Sequence, residues 1–170
     1  MMSFLNVWAN QYLDYSTLKI LHMVGIILFM GNIIITGWWK TMADKTGNPK
    51  IIAFAQRQVT LTDWIFTFGG VLMALAGGFG MVFTMNTDMM SEIHQVRWLW
   101  WGYHLFLISG IIWVLILIPL QIALARMAKV FDVTEDIPDR YWLYSKLWLW
   151  FGILATVIPM ANVYWMVVKP

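Results

Sequence analysis

The sequence predicts an all-α integral membrane protein, folded as an antiparallel four-helix bundle with both termini on the outer side of the membrane. The chain is 61% hydrophobic and 12% charged, with a mean hydropathy of +0.69, so it has too little polar surface to cover a soluble globule. Four intervals also contain no Asp, Glu, Lys or Arg: 20–39, 64–87, 98–125 and 147–168. Each is long enough to cross a hydrocarbon core of about 30 Å as a helix, and lipid leaves an apolar run of this length no other spanning structure.

We expect a single transmembrane domain over residues 1–170. Its four spans are predicted at about 18–39, 62–86, 97–121 and 144–168. The segment 1–16 is predicted to lie on the membrane surface as a short helix, because Phe4, Trp8 and Tyr12 recur at helical spacing.

Between the first two spans, Asn48 and Pro49 provide a helix cap followed by proline at the first helical position, so a helix is expected to lead from there toward Asp63. Asp63 is expected to pair with Arg57 or with a basic residue of the connection between the third and fourth spans. Pro119 and Pro159 are expected to kink the third and fourth helices.

The basic residues set the predicted orientation. Eight of the eleven Lys and Arg residues lie in the two long connections, and three lie on the other side: Lys19, Arg97 and Lys169. Because basic residues concentrate in cytoplasmic loops, this distribution predicts that both termini lie outside.

Two histidines are the main candidate ligands. His22 and His104 lie near the outer ends of the first and third spans, at a similar depth, and they are 82 residues apart, which suggests a parallel duplication of a two-helix unit. Imidazoles that face each other across a bundle can bind the iron of one haem b from both sides. The alternatives are that both histidines form structural hydrogen bonds, or that they bind another metal.

Four further residues complete the predicted haem site. Gly25 and Gly78 would leave room for a porphyrin, and Lys19 and Arg97 would neutralise its propionates near the outer surface. The alternatives are a helix-packing seam for the glycines and snorkelling to the interface for the two basic side chains.

Copper is the alternative metal. Methionines recur from Met81 to His94, and thioethers with an imidazole suit Cu(I), although methionine is also common apolar packing. His94 is a weaker third histidine candidate. The chain has no cysteine, which excludes thiolate ligands and covalently attached haem. The sequence contains no pattern for nucleic-acid binding, for a phosphate loop or for a catalytic nucleophile.

The sequence also resembles a bacterial family of small four-span integral membrane proteins of unknown function. The resemblance covers 17–170 and is carried by TLKILHMVGIILFMGNIIITGWW, FAQRQVTLTDWIFTFGG, LISGIIWVLILIPLQ and YWMVVKP. That family is distantly similar to the copper-resistance D-type membrane proteins and to HemJ, a haem-binding membrane protoporphyrinogen oxidase with an important histidine in its first span. His22 matches that histidine, whereas His104 and the segment 1–16 are not part of the family pattern. The resemblance implies a bacterial inner membrane and favours haem or copper over a packing role.

These observations lead to one functional hypothesis and its alternatives. The hypothesis is a b-type cytochrome that holds one haem iron between helices one and three and exchanges electrons with a quinol, or with another redox partner in the membrane. Two axial protein ligands leave the iron no open position, which favours electron transfer over oxygen chemistry. The alternatives are a HemJ-like porphyrinogen oxidase, a copper-handling protein that uses 81–94, and a structural subunit of a larger complex surrounded by lipid.

Overall fold

The computed structural model describes residues 14–84, 94–131 and 136–169. Within them the chain forms helices and no strand, which confirms the all-α prediction. Four helices are long and apolar enough to cross a membrane: α1 (Tyr15–Lys45), α2 (Pro49–Thr84), α3 (Arg97–Ala128) and α4 (Asp139–Val168). Each begins earlier or ends later than the predicted span. The predicted surface helix falls almost entirely outside the described residues, and the side of the membrane that each end faces stays a prediction.

Capping side chains define where the first two helices begin. The Asp14 carboxylate accepts a hydrogen bond from the Thr17 backbone N–H at 2.7 Å, at the start of α1. At the start of α2, Asn48 Oδ1 accepts from Lys50 N at 3.0 Å, and Pro49 is the first helical residue. The helix predicted from the Asn48–Pro49 pair is therefore confirmed, and it continues without a break into the second span.

Two helices contain a widened π-helical turn. In α2 it covers Asp63–Phe68, and in α3 it covers Trp113–Leu117. The second turn ends two residues before Pro119, whose nitrogen has no hydrogen to donate to the preceding helical turn, so a local change of hydrogen-bonding pattern is expected there. A π turn inserts an extra residue and changes the direction of the side chains around it. Both turns contribute residues to the cavity described below.

The helices of two pairs, α1 with α2 and α3 with α4, run antiparallel to each other. Gly25 of α1 lies against Ala74 of α2, and Ser109 of α3 donates a hydrogen bond to the Ala155 carbonyl of α4 at 2.9 Å. We call the ends of the helices at Tyr15, Thr84, Arg97 and Val168 the histidine end, and the ends at Lys45, Pro49, Ala128 and Asp139 the lysine end. Packing between α1 and α2 is most extensive toward the histidine end, and so is packing between α3 and α4.

A buried apolar core lies toward the lysine end. It joins α2, α3 and α4 through Ile52, Val59, Leu117, Leu124, Ala128, Phe131, Tyr141, Trp148 and Ala155. Elsewhere many large apolar side chains point outward, such as Ile27, Leu115 and Val167, which are 65%, 68% and 74% exposed. Outward-facing apolar surface on long helices is what contact with lipid requires.

Candidate functional site

His22 is held between the first two helices. Its Nδ1 lies 2.6 Å from the Ala74 carbonyl oxygen of α2. A carbonyl oxygen can only accept, so Nδ1 is the donor; in a neutral imidazole the lone pair then lies on Nε2. The imidazole also lies against Gly78, where a Cβ atom would be 3.1 Å from Nδ1. A neutral histidine whose Nδ1 donates to a carbonyl has the tautomer that most metal-binding histidines have.

His104 also directs Nδ1 at a backbone carbonyl, by a different arrangement. Its Nδ1 lies 2.8 Å from the Trp100 carbonyl oxygen, one turn earlier in α3. The Trp100 indole stacks on the imidazole with the ring centroids 4.0 Å apart, and Tyr103 contacts its edge. The hydrogen bond and the stacked ring restrict the imidazole, and in its neutral form the lone pair would again lie on Nε2.

Both histidines lie about two turns from the start of their helix, toward the histidine end. They belong to different helix pairs, since His22 contacts α2 while α3 packs on α4. Each histidine therefore contacts a different backbone carbonyl, that of Ala74 for His22 and that of Trp100 for His104. Among the described residues no group of three or more His, Asp or Glu side chains is arranged to hold a metal ion.

The glycines of α1 and α2 form a close contact between the two backbones. A Cβ on Gly25 would lie 2.4 Å from Ala74 N, and one on Gly77 would lie 2.5 Å from His22 N. No side chain fits at either position, so these two glycines let the helices touch. Gly78 differs, because it faces the His22 imidazole rather than a backbone. The space at Gly25 is thus occupied by α2, and of the two glycines predicted for the haem site only Gly78 borders a histidine ring.

The basic residues and the third histidine lie at the surface. Lys19, Arg97 and His94 are exposed, and among the described residues none of the three forms an ion pair. Lys19 and Arg97 are thus accessible to an anionic group at the histidine end. Of the methionine segment predicted to bind copper, Met81 and His94 are described, while 85–93 lie outside the described residues.

Asp63 occupies a different environment from the one predicted. Its Oδ1 accepts hydrogen bonds from Asn32 Nδ2 at 2.8 Å and from Thr67 Oγ1 at 2.9 Å, and Gln121 of α3 lies beside the same carboxylate. Within the described part of the chain no Lys or Arg approaches it closely enough for an ion pair. The predicted pairing with Arg57 or another basic residue is therefore wrong, because the π turn at Asp63 places this carboxylate among neutral polar groups.

A buried ion pair at the lysine end was not predicted. Lys40 is only 2% exposed, and its Nζ donates to Asp44 Oδ2 at 2.8 Å, to Tyr141 OH at 3.1 Å and to Ser145 Oγ at 3.0 Å. Tyr141 OH and Ser145 Oγ in turn donate to the two Asp44 oxygens. The i, i+4 spacing of Lys40 and Asp44 was the available signal, but it also fits an exposed pair. Every partner is satisfied, so this cluster fastens α1 to α4.

A cavity of about 620 Å³ lies between the helices. It is bordered by both π turns and by all four helices, with Asp63, Thr67 and Gln121 among its polar lining residues. Aromatic residues contribute a large part of its wall: Phe29, Trp38, Phe106, Trp113 and Trp148. Neither His22 nor His104 lines it. Its volume is in the range of cavities that bind small organic molecules.

Comparison with known proteins gives a family and no described function. No curated protein matches the sequence, and no solved structure matches the fold. Residues 16–170 match the family described as "Predicted integral membrane protein (DUF2269)". The match extends from the start of α1 to the last residue, and the four long apolar helices agree with a multi-pass membrane protein. The chain therefore belongs to the DUF2269 family of predicted integral membrane proteins.

Proposed function

We propose that this protein is a membrane b-type cytochrome that transfers electrons. His22 and His104 would hold the iron of one haem, and Lys19 and Arg97 would neutralise its propionates. The observation that carries the proposal is a contact shared by the two histidines: Nδ1 of each lies against a backbone carbonyl oxygen, at 2.6 Å and 2.8 Å. A neutral imidazole held in this way would present an unprotonated Nε2, which is the form that binds iron.

The residues around the histidines fit this role. Gly78 lets α2 lie against the His22 imidazole without a side-chain clash, and Gly25 supports the ring indirectly by letting α1 approach α2. Trp100 stacks on His104 and limits its rotation. Exposed Lys19 and Arg97 lie on the same end of the helices as the two imidazoles, where a pair of carboxylates would be neutralised.

A bound haem would supply one-electron redox chemistry. The contribution of the chain would be two half-buried imidazoles whose Nδ1 atoms are held by the Ala74 and Trp100 carbonyls. With both histidines bound to the iron, the site would favour electron exchange with a membrane donor such as a quinol. We propose further that the four helices form a bundle with both termini on the outer face of a bacterial inner membrane.

The test is an absorption spectrum of the purified full chain, produced in haem-replete cells and reduced with dithionite. We expect the sharp bands of a six-coordinate low-spin haem. His22→Ala and His104→Ala should each convert the spectrum to high-spin or abolish it, because each removes one axial ligand. His94→Ala is the matched control, since His94 is exposed, and should leave the bands unchanged.

Two results would overturn the proposal. A colourless wild-type protein that also fails to take up added haemin would exclude haem binding, and bound copper in such a preparation would favour the methionine segment instead. A low-spin spectrum that survives His104→Ala would exclude the second ligand.

A further inference from the structure

We propose that the cavity between the helices binds lipophilic organic cations, with Asp63 as the counter-charge. This proposal is separate from the haem site, because neither candidate ligand histidine lines the cavity. It rests on three features of the described residues: the partners of the carboxylate, the composition of the wall and the apolar rim.

The partners of Asp63 are neutral. Asn32 and Thr67 donate to Oδ1, and among the described residues no Lys or Arg forms an ion pair with this carboxylate. A carboxylate removed from water without a counter-ion is costly, even when it accepts hydrogen bonds. A cation that enters the cavity would provide the missing opposite charge, so charge complementarity selects the sign of the ligand.

The wall suits a large organic cation rather than a metal ion. Phe29, Phe106 and Trp113 border the cavity together with Trp38 and Trp148, and aromatic faces attract cations that have lost their water. Asp63 is the single carboxylate among the described lining residues; a hard metal ion is usually held by several charged oxygen ligands, whereas an organic cation needs one carboxylate and apolar surface. The volume of about 620 Å³ accommodates a molecule with several rings.

The rim indicates that the ligand enters from the lipid. Several lining residues are also exposed on the outside of the helices: Ile34, Trp38, Val114, Ile153 and Val157, at 46% to 63% of their surface. A molecule that reaches the cavity between such side chains must first dissolve in the bilayer. This favours a cation whose charge is shielded by hydrocarbon over a hydrophilic one.

Lys45 also lines the cavity, and its charge is opposite in sign to that of Asp63. Its side chain is exposed at the lysine end. If Lys45 dominated, the cavity would prefer lipophilic anions. The test therefore compares two ions of nearly equal shape and opposite charge, tetraphenylphosphonium and tetraphenylborate.

The experiment is a calorimetric titration of the purified full chain in a neutral detergent with each ion. We expect saturable binding of tetraphenylphosphonium and much weaker binding of tetraphenylborate. Asp63→Asn should weaken binding of the cation by about tenfold or more and remove the preference between the two ions. Asp139→Asn is the matched control, because Asp139 is exposed at the start of α4, and it should bind like the wild type.

Two kinds of result would each overturn the proposal. Equal binding of both ions by the wild type, or preference for the anion, overturns the proposal even if Asp63→Asn does not fold. Unchanged cation binding in folded Asp63→Asn also overturns it, because the ion would then be partitioning into detergent or binding elsewhere. None of these results depends on bound haem, so failure here and failure of the cytochrome proposal are distinguishable.

Discussion

Replacement of Lys40 by methionine should destabilise the protein severely. Methionine keeps most of the length of the side chain but removes the charge and the three hydrogen bonds that Nζ donates. The change leaves the Asp44 carboxylate, in a side chain only 15% exposed, without its cation. Removal of one partner from a buried ion pair typically costs about 3–5 kcal/mol. We expect the lower part of this range, because Tyr141 and Ser145 still donate to Asp44.

Substitution of Asp44, alone and together with Lys40, tests the same ion pair. Asp44→Leu leaves a buried ammonium and should be comparably destabilising, whereas the double variant leaves no unpaired charge. Its loss of stability should therefore be smaller than the sum of the two single losses by about 2 kcal/mol or more. The assay is unfolding of the purified protein in mixed micelles by titration with dodecyl sulfate, followed by tryptophan fluorescence and circular dichroism.

Lys45→Met serves as the control for this cycle. Lys45 has the same side chain five residues later in α1, but it is exposed and its substitution should change the stability by less than about 0.5 kcal/mol. If Lys40→Met matched this control, or if the two single losses were additive, the cluster would not be a buried ion pair that fastens α1 to α4.

Two further predictions concern helix contacts. Gly77→Ala should cost about 1–3 kcal/mol, because its Cβ would lie 2.5 Å from His22 N and force the helices apart. Gly31→Ala is the control: no atom lies within 4 Å of its Cβ, so it should keep the wild-type midpoint in the same unfolding assay. Equal midpoints for the two variants would contradict the close contact. Asn48→Ala should lower stability by about 1 kcal/mol, because α2 loses the capping oxygen that lies 3.0 Å from Lys50 N. Asn48→Asp keeps an acceptor and should restore most of that loss. A midpoint for Asn48→Asp as low as that of Asn48→Ala would argue against the cap.

The sequence was enough to identify candidate residues by their chemical type, but it was not enough to predict which way their side chains point. Composition and spacing identified His22 and His104 as the histidines within the apolar helices, and the structure gives each a backbone acceptor that sequence reasoning did not identify. Spacing alone could not show that Gly25 faces the backbone of α2 whereas Gly78 faces the His22 imidazole. Asp63 was expected in an ion pair because no local sequence pattern indicates the π turn that redirects it.

What the sequence determined by itself is the class of the protein and the number of its long helices. Both follow from the lengths of uncharged runs, because the free energy of placing backbone and side chains in lipid depends mainly on local composition. The Asn48 cap was equally readable, because the cap and its acceptors are within three residues. Only the tertiary structure decided that Lys40 and Tyr141, 101 residues apart, share a buried cluster, and that Asp63 lines a cavity between helices. Those contacts depend on the rotation of each helix about its axis, which is set by packing against neighbours and by the two π turns rather than by any local pattern.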